Sequence, residues 1–163
     1  MRAATAARCA AALYVACFTL ACHSKAKHET AVSRNVDAIM RALNLPARPV
    51  EAWWEETPVG QPGGIGPTDY DLSAVLLFDP ATAASLAKKA PPLPEAPVLL
   101  PSEALRPWLP EPVRAALQRH GDDFLSVRGS KFDAQPFLKP PYTSGAFIVI
   151  DGGGYVYISV RTS

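Results

Sequence analysis

Cysteine is scarce in this chain and confined to its beginning. The 163 residues include only Cys9, Cys17 and Cys22. No thiolate ligand or disulfide partner is therefore available after residue 22. Histidine is almost as rare, with His23 and His28 near the last cysteine and only His120 further along. Because this spacing has no zinc-site pattern, we predict neither a metal site nor a cofactor.

The chain also lacks an excess of charge of either sign. Lysine and arginine total 16 against 15 acidic residues, which gives a formal net charge of +1. Domains that bind nucleic acid normally carry a basic face, so we predict no nucleic-acid partner. Hydrophobic residues make up 48% of the sequence, which is too many for a disordered chain, and the length suits one globular domain.

The apolar segment at the start is too short to cross a membrane. Residues 9–21 form a run of thirteen without charge, whereas a membrane-spanning helix needs about 20. Arg2 and Arg8 precede the run, and no acid does. These features are typical of a secretory signal peptide, which we predict over residues 1–21. The alternative is a buried N-terminal helix, which the lack of any charged solvent face disfavours.

The end of this segment reads FTLAC at residues 18–22 and resembles the lipobox of bacterial lipoproteins. The family usually has leucine where Thr19 stands. The resemblance implies that a diacylglyceryl group is attached to the Cys22 thiol and that cleavage follows before Cys22. Lipidation would also account for the single cysteine left after cleavage, which an exported protein otherwise carries as a reactive thiol.

The same resemblance implies where the protein is found. The lipid on Cys22 would anchor the chain to a membrane of the bacterial cell envelope, facing the periplasm. His23 rather than aspartate follows the cysteine, and by the family's sorting pattern this favours the outer membrane. Residues 22–29 would then be the lipidated cysteine and a short polar tether.

Residues 30–163 are predicted to form a single α+β domain. The periodicity predicts helices over 30–44, 80–90 and 111–120, and strands over 50–56, 70–78, 124–128, 146–150 and 155–161. In the first helix, the apolar stripe comprises Val32, Val36, Ile39, Met40 and Leu43. Asp79 is predicted to cap the second helix, with Pro80 at its first position.

The last two strands flank the glycine-rich residues 151–154, which predicts a C-terminal β-hairpin. The order of elements predicts an antiparallel sheet of about four to five strands with helices packed on one face. Residues 91–112 contain eight prolines. They are predicted to be an extended connection with one helical turn near residues 102–105.

The first strand contains two adjacent tryptophans that must point to opposite faces of the sheet. Trp53 shares its face with Glu51 and Glu55, and two acids there indicate solvent. Trp53 is therefore predicted to be a large aromatic side chain on an exposed face.

The C-terminal hairpin has a similar amphipathic face, which carries Tyr155, Tyr157 and Arg161. If both faces lie on the same side of one sheet, these residues and Trp53 form a patch of the types that dominate binding hot spots. We predict this patch as the partner-binding surface. The alternative is that a helix or the proline-rich segment covers it.

Catalytic motifs are lacking. Gly129-Ser130 does not form a nucleophile elbow, and the glycines at 63–66 precede a strand rather than a helix, unlike a phosphate loop. The remaining catalytic candidates are carboxylates: Glu55, Glu56, Asp69, Asp71, Asp122, Asp123 and Asp133. No catalytic residue is assigned.

We therefore predict a non-enzymatic, lipid-anchored envelope protein that binds a periplasmic partner, either a protein or cell-wall glycan. The alternative is a small lipid-anchored hydrolase that uses a carboxylate pair.

Overall fold

The computed structural model describes residues 31–59, 69–94 and 97–162. The predicted signal peptide, Cys22, the tether and most of the loop over 57–68 lie outside the described residues. The strands are β1 (Glu51–Val59), β2 (Asp69–Leu77), β3 (Val98–Pro101), β4 (Leu117–His120), β5 (Phe124–Val127), β6 (Gly129–Asp133), β7 (Ser144–Ile150) and β8 (Tyr155–Arg161). The α-helices are α1 (Val36–Ala42), α2 (Pro80–Lys89) and α3 (Glu111–Ala116). None of the described helices is long and apolar enough to cross a membrane.

The strands form two antiparallel sheets. The larger has five strands in the order β1-β2-β8-β7-β6, and the smaller has three in the order β3-β5-β4. The predicted α+β class, the antiparallel sheet and the C-terminal hairpin of β7 and β8 are confirmed. Gly152 and Gly154 have φ angles of 85° and 70° in the hairpin turn, which explains why this turn is rich in glycine.

One face of the larger sheet packs on α1 and α2, as predicted, whereas α3, expected on the same face, packs on the opposite one. Alternate side chains of the central strands are buried there: Leu72, Ala74, Leu76, Val156, Ile158 and Val160. The helices contribute Ile39, Ala83 and Leu86 to the same core, and Leu43, which follows α1 directly, joins them. The Phe147 ring of β7 stacks on Phe132 with centroids 5.1 Å apart, and the Phe137 ring lies tilted by 50° against it at 4.7 Å. Hydrophobic burial thus fixes the register of the sheet on this side.

The start of α1 differs from the prediction of a helix from residue 30. The helix begins at Val36, and the Asn35 side chain caps it by accepting a hydrogen bond from the Ala38 N–H at 3.0 Å. Ser33 instead forms an antiparallel bridge with Trp54, and Val32 is exposed. The predicted burial of Val32 is therefore wrong, because pairing with the edge of β1 extends this part of the chain.

The predicted start of α2 is confirmed, whereas the predicted end of α3 is wrong. Asp79 caps α2 as predicted, and hydrogen bonds from the Thr82 hydroxyl and N–H hold the pKa of its carboxyl below the usual range. α3 ends at Ala116 rather than His120, because the chain continues as β4 and pairs with β5. Gly121, which directly follows the predicted helix, lies in the turn between these two strands with φ of 72°.

The opposite face of the larger sheet is also covered, which agrees with the alternative that a helix or the proline-rich segment lies over it, and not with the predicted exposed patch. The smaller sheet and α3 pack over it and bury Val98, Leu100, Val113, Ala116 and Val127 against it. The proline-rich segment 91–112 has the predicted helical turn, a 3-10 turn over Ser102–Ala104, but it also contributes β3, which was not predicted. We call the smaller sheet, the 3-10 turn, α3 and their connecting residues, 97–127, the cover layer.

Candidate functional site

The predicted patch is on one side of the larger sheet, as expected, but it is not exposed. The register places Trp53 opposite Val75, and Val75 opposite Tyr157. Trp53 is only 9% exposed and Tyr157 only 6%, because the cover layer packs on both. Tyr155 is half-buried in the same cluster, whereas Arg161 is exposed. The predicted exposure of Trp53 and Tyr157 is therefore wrong.

The burial of Glu55 explains why Trp53 was wrongly predicted to be exposed. Its position beside Trp53 indicated a solvent-facing strand, yet the Glu55 side chain is itself buried. The guanidinium Nε of Arg106, from the cover layer, lies 3.0 Å from Glu55 Oε1. A buried carboxylate of this kind needs a partner, and the partner comes from a residue 51 positions later in the sequence.

Polar groups converge around this ion pair. Burial raises the pKa of the Tyr157 hydroxyl, and a side-chain hydrogen bond with Ser73 opposes the rise. The charges of Arg106, Glu55 and Asp71 also act on this hydroxyl. The end of the cover layer is therefore bordered by hydroxyl, carboxylate and guanidinium groups.

Beyond this border, the same face of the larger sheet becomes polar and more accessible. In register, Glu55 lies opposite Ser73 and Ser73 opposite Ser159, and in the next row Thr57 lies opposite Asp71 and Asp71 opposite Arg161. We call this surface the polar shelf and define it by Glu55, Thr57, Asp71, Ser73, Arg106, Ser159 and Arg161.

The charges on the polar shelf balance. Arg161 Nε lies 3.7 Å from Asp71 Oδ1, and this second pair is largely exposed, with side-chain exposures of 64% and 40%. The two carboxylates and two guanidinium groups cancel in charge, and the Asp71 carboxylate, the guanidinium groups and the three hydroxyls supply donors and acceptors, whereas the buried Glu55 carboxylate only pairs with Arg106. Such an arrangement can bind an uncharged, hydroxyl-bearing ligand.

Of the carboxylates named above as catalytic candidates, the structure brings only two together. Glu55 and Asp71 share the polar shelf on neighbouring strands. Glu56 lies on the opposite face and accepts a hydrogen bond from the Tyr142 hydroxyl. Asp69 accepts one from Thr162.

The other three candidates lie elsewhere. Asp122 and Asp123 are in the exposed turn between β4 and β5, and Asp133 accepts a hydrogen bond from the Gln135 N–H. His120 is exposed on β4. Within residues 31–59, 69–94 and 97–162, no group of three or more metal-ligating side chains is present.

The Glu55–Arg106 pair gives a first testable expectation. Replacing Arg106 with alanine leaves a buried carboxylate without its partner, so we expect the free energy of unfolding to fall by about 1–3 kcal/mol. This destabilisation is smaller than for a fully buried ion pair, because the Arg106 side chain is about one-third exposed and solvent weakens the pair. Chemical denaturation measures this loss.

A matched control is the exposed pair of Asp71 and Arg161. Arg161→Ala should change stability by less than about 1 kcal/mol. The double variant Glu55→Gln with Arg106→Ala should recover part of the loss, because no charge then remains buried. Equal losses for Arg106→Ala and Arg161→Ala would contradict the assigned role of the buried pair.

Comparison with known proteins adds no template for this site. No protein-family model matches the chain, and neither a curated protein nor a solved structure matches it.

Proposed function

We propose that this chain is a lipid-anchored protein of the bacterial cell envelope that faces the periplasm and binds cell-wall glycan at the polar shelf. The anchor is the lipid on Cys22, as the lipobox-like residues 18–22 suggest. The observation that carries the binding role is the buried Glu55–Arg106 pair, which borders an accessible surface of hydroxyls and balanced charges.

The chemistry of the polar shelf suits sugar hydroxyls. Each hydroxyl can donate to a carboxylate and accept from a guanidinium group, and such charge-assisted hydrogen bonds are the stronger kind. Because the buried Glu55 carboxylate holds the partly exposed Arg106 guanidinium in place, part of this set is ordered before a ligand arrives. The absence of net charge favours a neutral glycan over a strongly charged ligand.

A protein partner has less support. The aromatic residues predicted to anchor it, Trp53 and Tyr157, are packed beneath the cover layer. Protein interfaces usually depend on such aromatic anchors in accessible positions. Glycan is therefore the partner class for which the accessible groups are the better match.

The alternative function is a hydrolase in which Glu55 and Asp71 act as the carboxylate pair. Their position on neighbouring strands of one face favours it. Each carboxylate is already paired with an arginine, however, which suits binding better than proton transfer. Release of reducing ends from purified cell walls, lost in Glu55→Gln, would favour the hydrolase.

The anchor gives a second testable expectation. Metabolic labelling with a fatty acid should mark the wild-type protein and should fail for Cys22→Ser, because the thiol is the attachment point. Cys17→Ser is the matched control and should be labelled normally. Persistent labelling of Cys22→Ser would contradict the proposed anchor, and recovery of wild type in the inner membrane would contradict the outer-membrane assignment.

The polar shelf gives a third testable expectation. The mature protein should co-sediment with purified cell-wall sacculi, and Arg161→Ala should weaken binding roughly ten- to hundred-fold, since a hydrogen bond to a charged group contributes about 1.5–3 kcal/mol. Lys88→Ala removes an exposed cation from α2, away from the polar shelf, and should bind like wild type.

Two outcomes would contradict this proposal. In one, wild type fails to sediment with sacculi. In the other, Arg161→Ala and Lys88→Ala bind equally well. Crosslinking of wild type to an envelope protein through the polar shelf, without sacculus binding, would replace the glycan with a protein partner.

A further inference from the structure

The face that carries the polar shelf continues beyond β8 onto the last two strands of the larger sheet. Ser159 lies opposite Ala146 of β7 in register, and Ala146 lies opposite Asp133 of β6. In the next row, Arg161 lies opposite Ser144. Directly opposed residues of an antiparallel pair share a face, so Ser144, Ala146 and Asp133 lie on the face of the polar shelf. We call these three residues the shelf extension.

Exposure on this face rises row by row away from the cover layer. The row beneath the cover layer is buried and consists of Trp53, Val75, Tyr157 and Ile148. In the next row, the side chains that follow the buried Glu55 are half-buried: Ser73, Ser159, Ala146 and Asp133. In the third row, Arg161 and Ser144 are exposed. The second and third rows thus form an accessible strip across the strands, with Asp133 of β6 at one end.

The dimensions of this strip suit one extended chain. The five strands span about 19 Å, since neighbouring strands lie about 4.8 Å apart. The two rows are two residues apart along each strand, which corresponds to about 7 Å. Small side chains line the middle of the strip: Ser73, Ser159, Ala146 and Ser144. A ligand can therefore lie flat across the strands.

Polar groups occupy both ends of the strip. At the β1 end, the partly exposed Arg106 guanidinium is held by Glu55. At the β6 end, Oδ1 of Asp133 accepts a hydrogen bond from the Gln135 N–H at 2.7 Å, which orients the carboxylate. Ligand hydroxyls can donate to Asp133 and accept from Arg106. Because these groups are separated by the width of the sheet, a single sugar cannot reach both.

The position on a face of the sheet also indicates the kind of polymer. The backbone groups of the inner strands are used in the ladders between neighbouring strands. An extended peptide binds a sheet through free backbone groups at an edge, whereas this face offers side chains. A polymer with hydroxyls on every unit matches such a line of hydroxyl, carboxylate and guanidinium groups.

We infer that the polar shelf binds the interior of an extended, neutral glycan chain that lies across the strands, and that the shelf extension is a second subsite for its further sugars. This inference rests on the proposed function and specifies which part of the glycan is recognised. Ser144 and Asp133 supply hydrogen bonds in the second subsite, and the small Ala146 leaves room for the chain.

The test compares ligands of different length. The full-length protein is titrated with the uncharged disaccharide and hexasaccharide of N-acetylglucosamine, and calorimetry measures the affinities. The hexasaccharide should bind at least about ten-fold more tightly, because it adds charge-assisted hydrogen bonds in the second subsite. Asp133→Asn should remove most of this advantage. It should leave the disaccharide affinity unchanged, because the disaccharide is held near Arg106 and Arg161.

Ala146→Phe is a second variant, which places a ring in the middle of the strip and should also abolish the advantage of the hexasaccharide. The matched controls are Asp151→Asn and Ala115→Phe, at exposed positions in the β7–β8 turn and on α3, and both should bind like wild type. Circular dichroism confirms that each variant is folded.

The inference is overturned, and the proposed function is not, if wild type binds both oligomers equally tightly. The same holds if Asp133→Asn and Ala146→Phe both bind the hexasaccharide as tightly as wild type does. If wild type binds neither the oligomers nor sacculi, the proposed function fails, and the inference fails with it.

Discussion

Replacing Gly154 with alanine should reduce the free energy of unfolding by about 4 kcal/mol or more, a loss that only a few mechanisms produce. Gly154 ends the β7–β8 turn with φ of 70°, where an L side chain is strained. A Cβ atom there would lie 2.2 Å from the Phe78 carbonyl oxygen. The backbone would have to move, and the hydrogen bond from the Phe78 N–H to the Gly154 carbonyl would be disturbed.

Gly152 provides the control for this prediction. Its φ is 85°, but nothing lies within 4 Å of the Cβ that alanine would add. Gly152→Ala should therefore show only backbone strain, of about 1 kcal/mol. Comparing the free energies of unfolding of the two variants in urea separates the cost of the close contact with Phe78 from the cost of the positive φ. Similar losses at the two positions would contradict the packing of the turn against Phe78.

Replacing Ile158 with alanine should reduce the free energy of unfolding by about 2–5 kcal/mol. Ile158 is 1% exposed and lies on β8, opposite Ala74 of β2 and Phe147 of β7. Removing three carbons at the centre of the sheet loses apolar burial and leaves a cavity. Chemical denaturation is again the measurement.

Two substitutions calibrate the loss at Ile158. Ile158→Val removes one methyl group and should lower the free energy of unfolding by about 0.5–1.5 kcal/mol. Val50→Ala is at a position that is 67% exposed and should stay within about 0.5 kcal/mol of wild type. A loss for Ile158→Ala no larger than that for Val50→Ala would show that the buried face of β8 is assigned incorrectly.

The elements that could be predicted are those fixed by neighbouring residues. Asp79 and Pro80 begin α2 through local hydrogen bonding and backbone geometry, and the glycines at 152 and 154 define the hairpin turn. Neither feature depends on distant parts of the chain. The start of α1 was predicted incorrectly because Ser33 pairs with Trp54, a contact that helical periodicity does not contain.

The candidate site was harder to predict for the same reason. Glu55 was expected in solvent, but its ion partner Arg106 belongs to the cover layer, whose three strands number only four residues each. The sequence of β2 nevertheless indicates part of the polar shelf. There the polar Asp71 and Ser73 precede the apolar Val75 and Leu77 on one face, which marks where the cover layer ends.

Glycan binding at the polar shelf is tested most directly by titrating a soluble, uncharged cell-wall glycan fragment into the isotopically labelled mature protein and following backbone amide resonances. We expect saturable shifts at Ser73, Ser159 and Arg161, with Phe124 and His120 on the outer face of the smaller sheet unchanged. Shifts confined to the smaller sheet, or none at saturating fragment concentrations, would contradict the assignment of the polar shelf as the binding site.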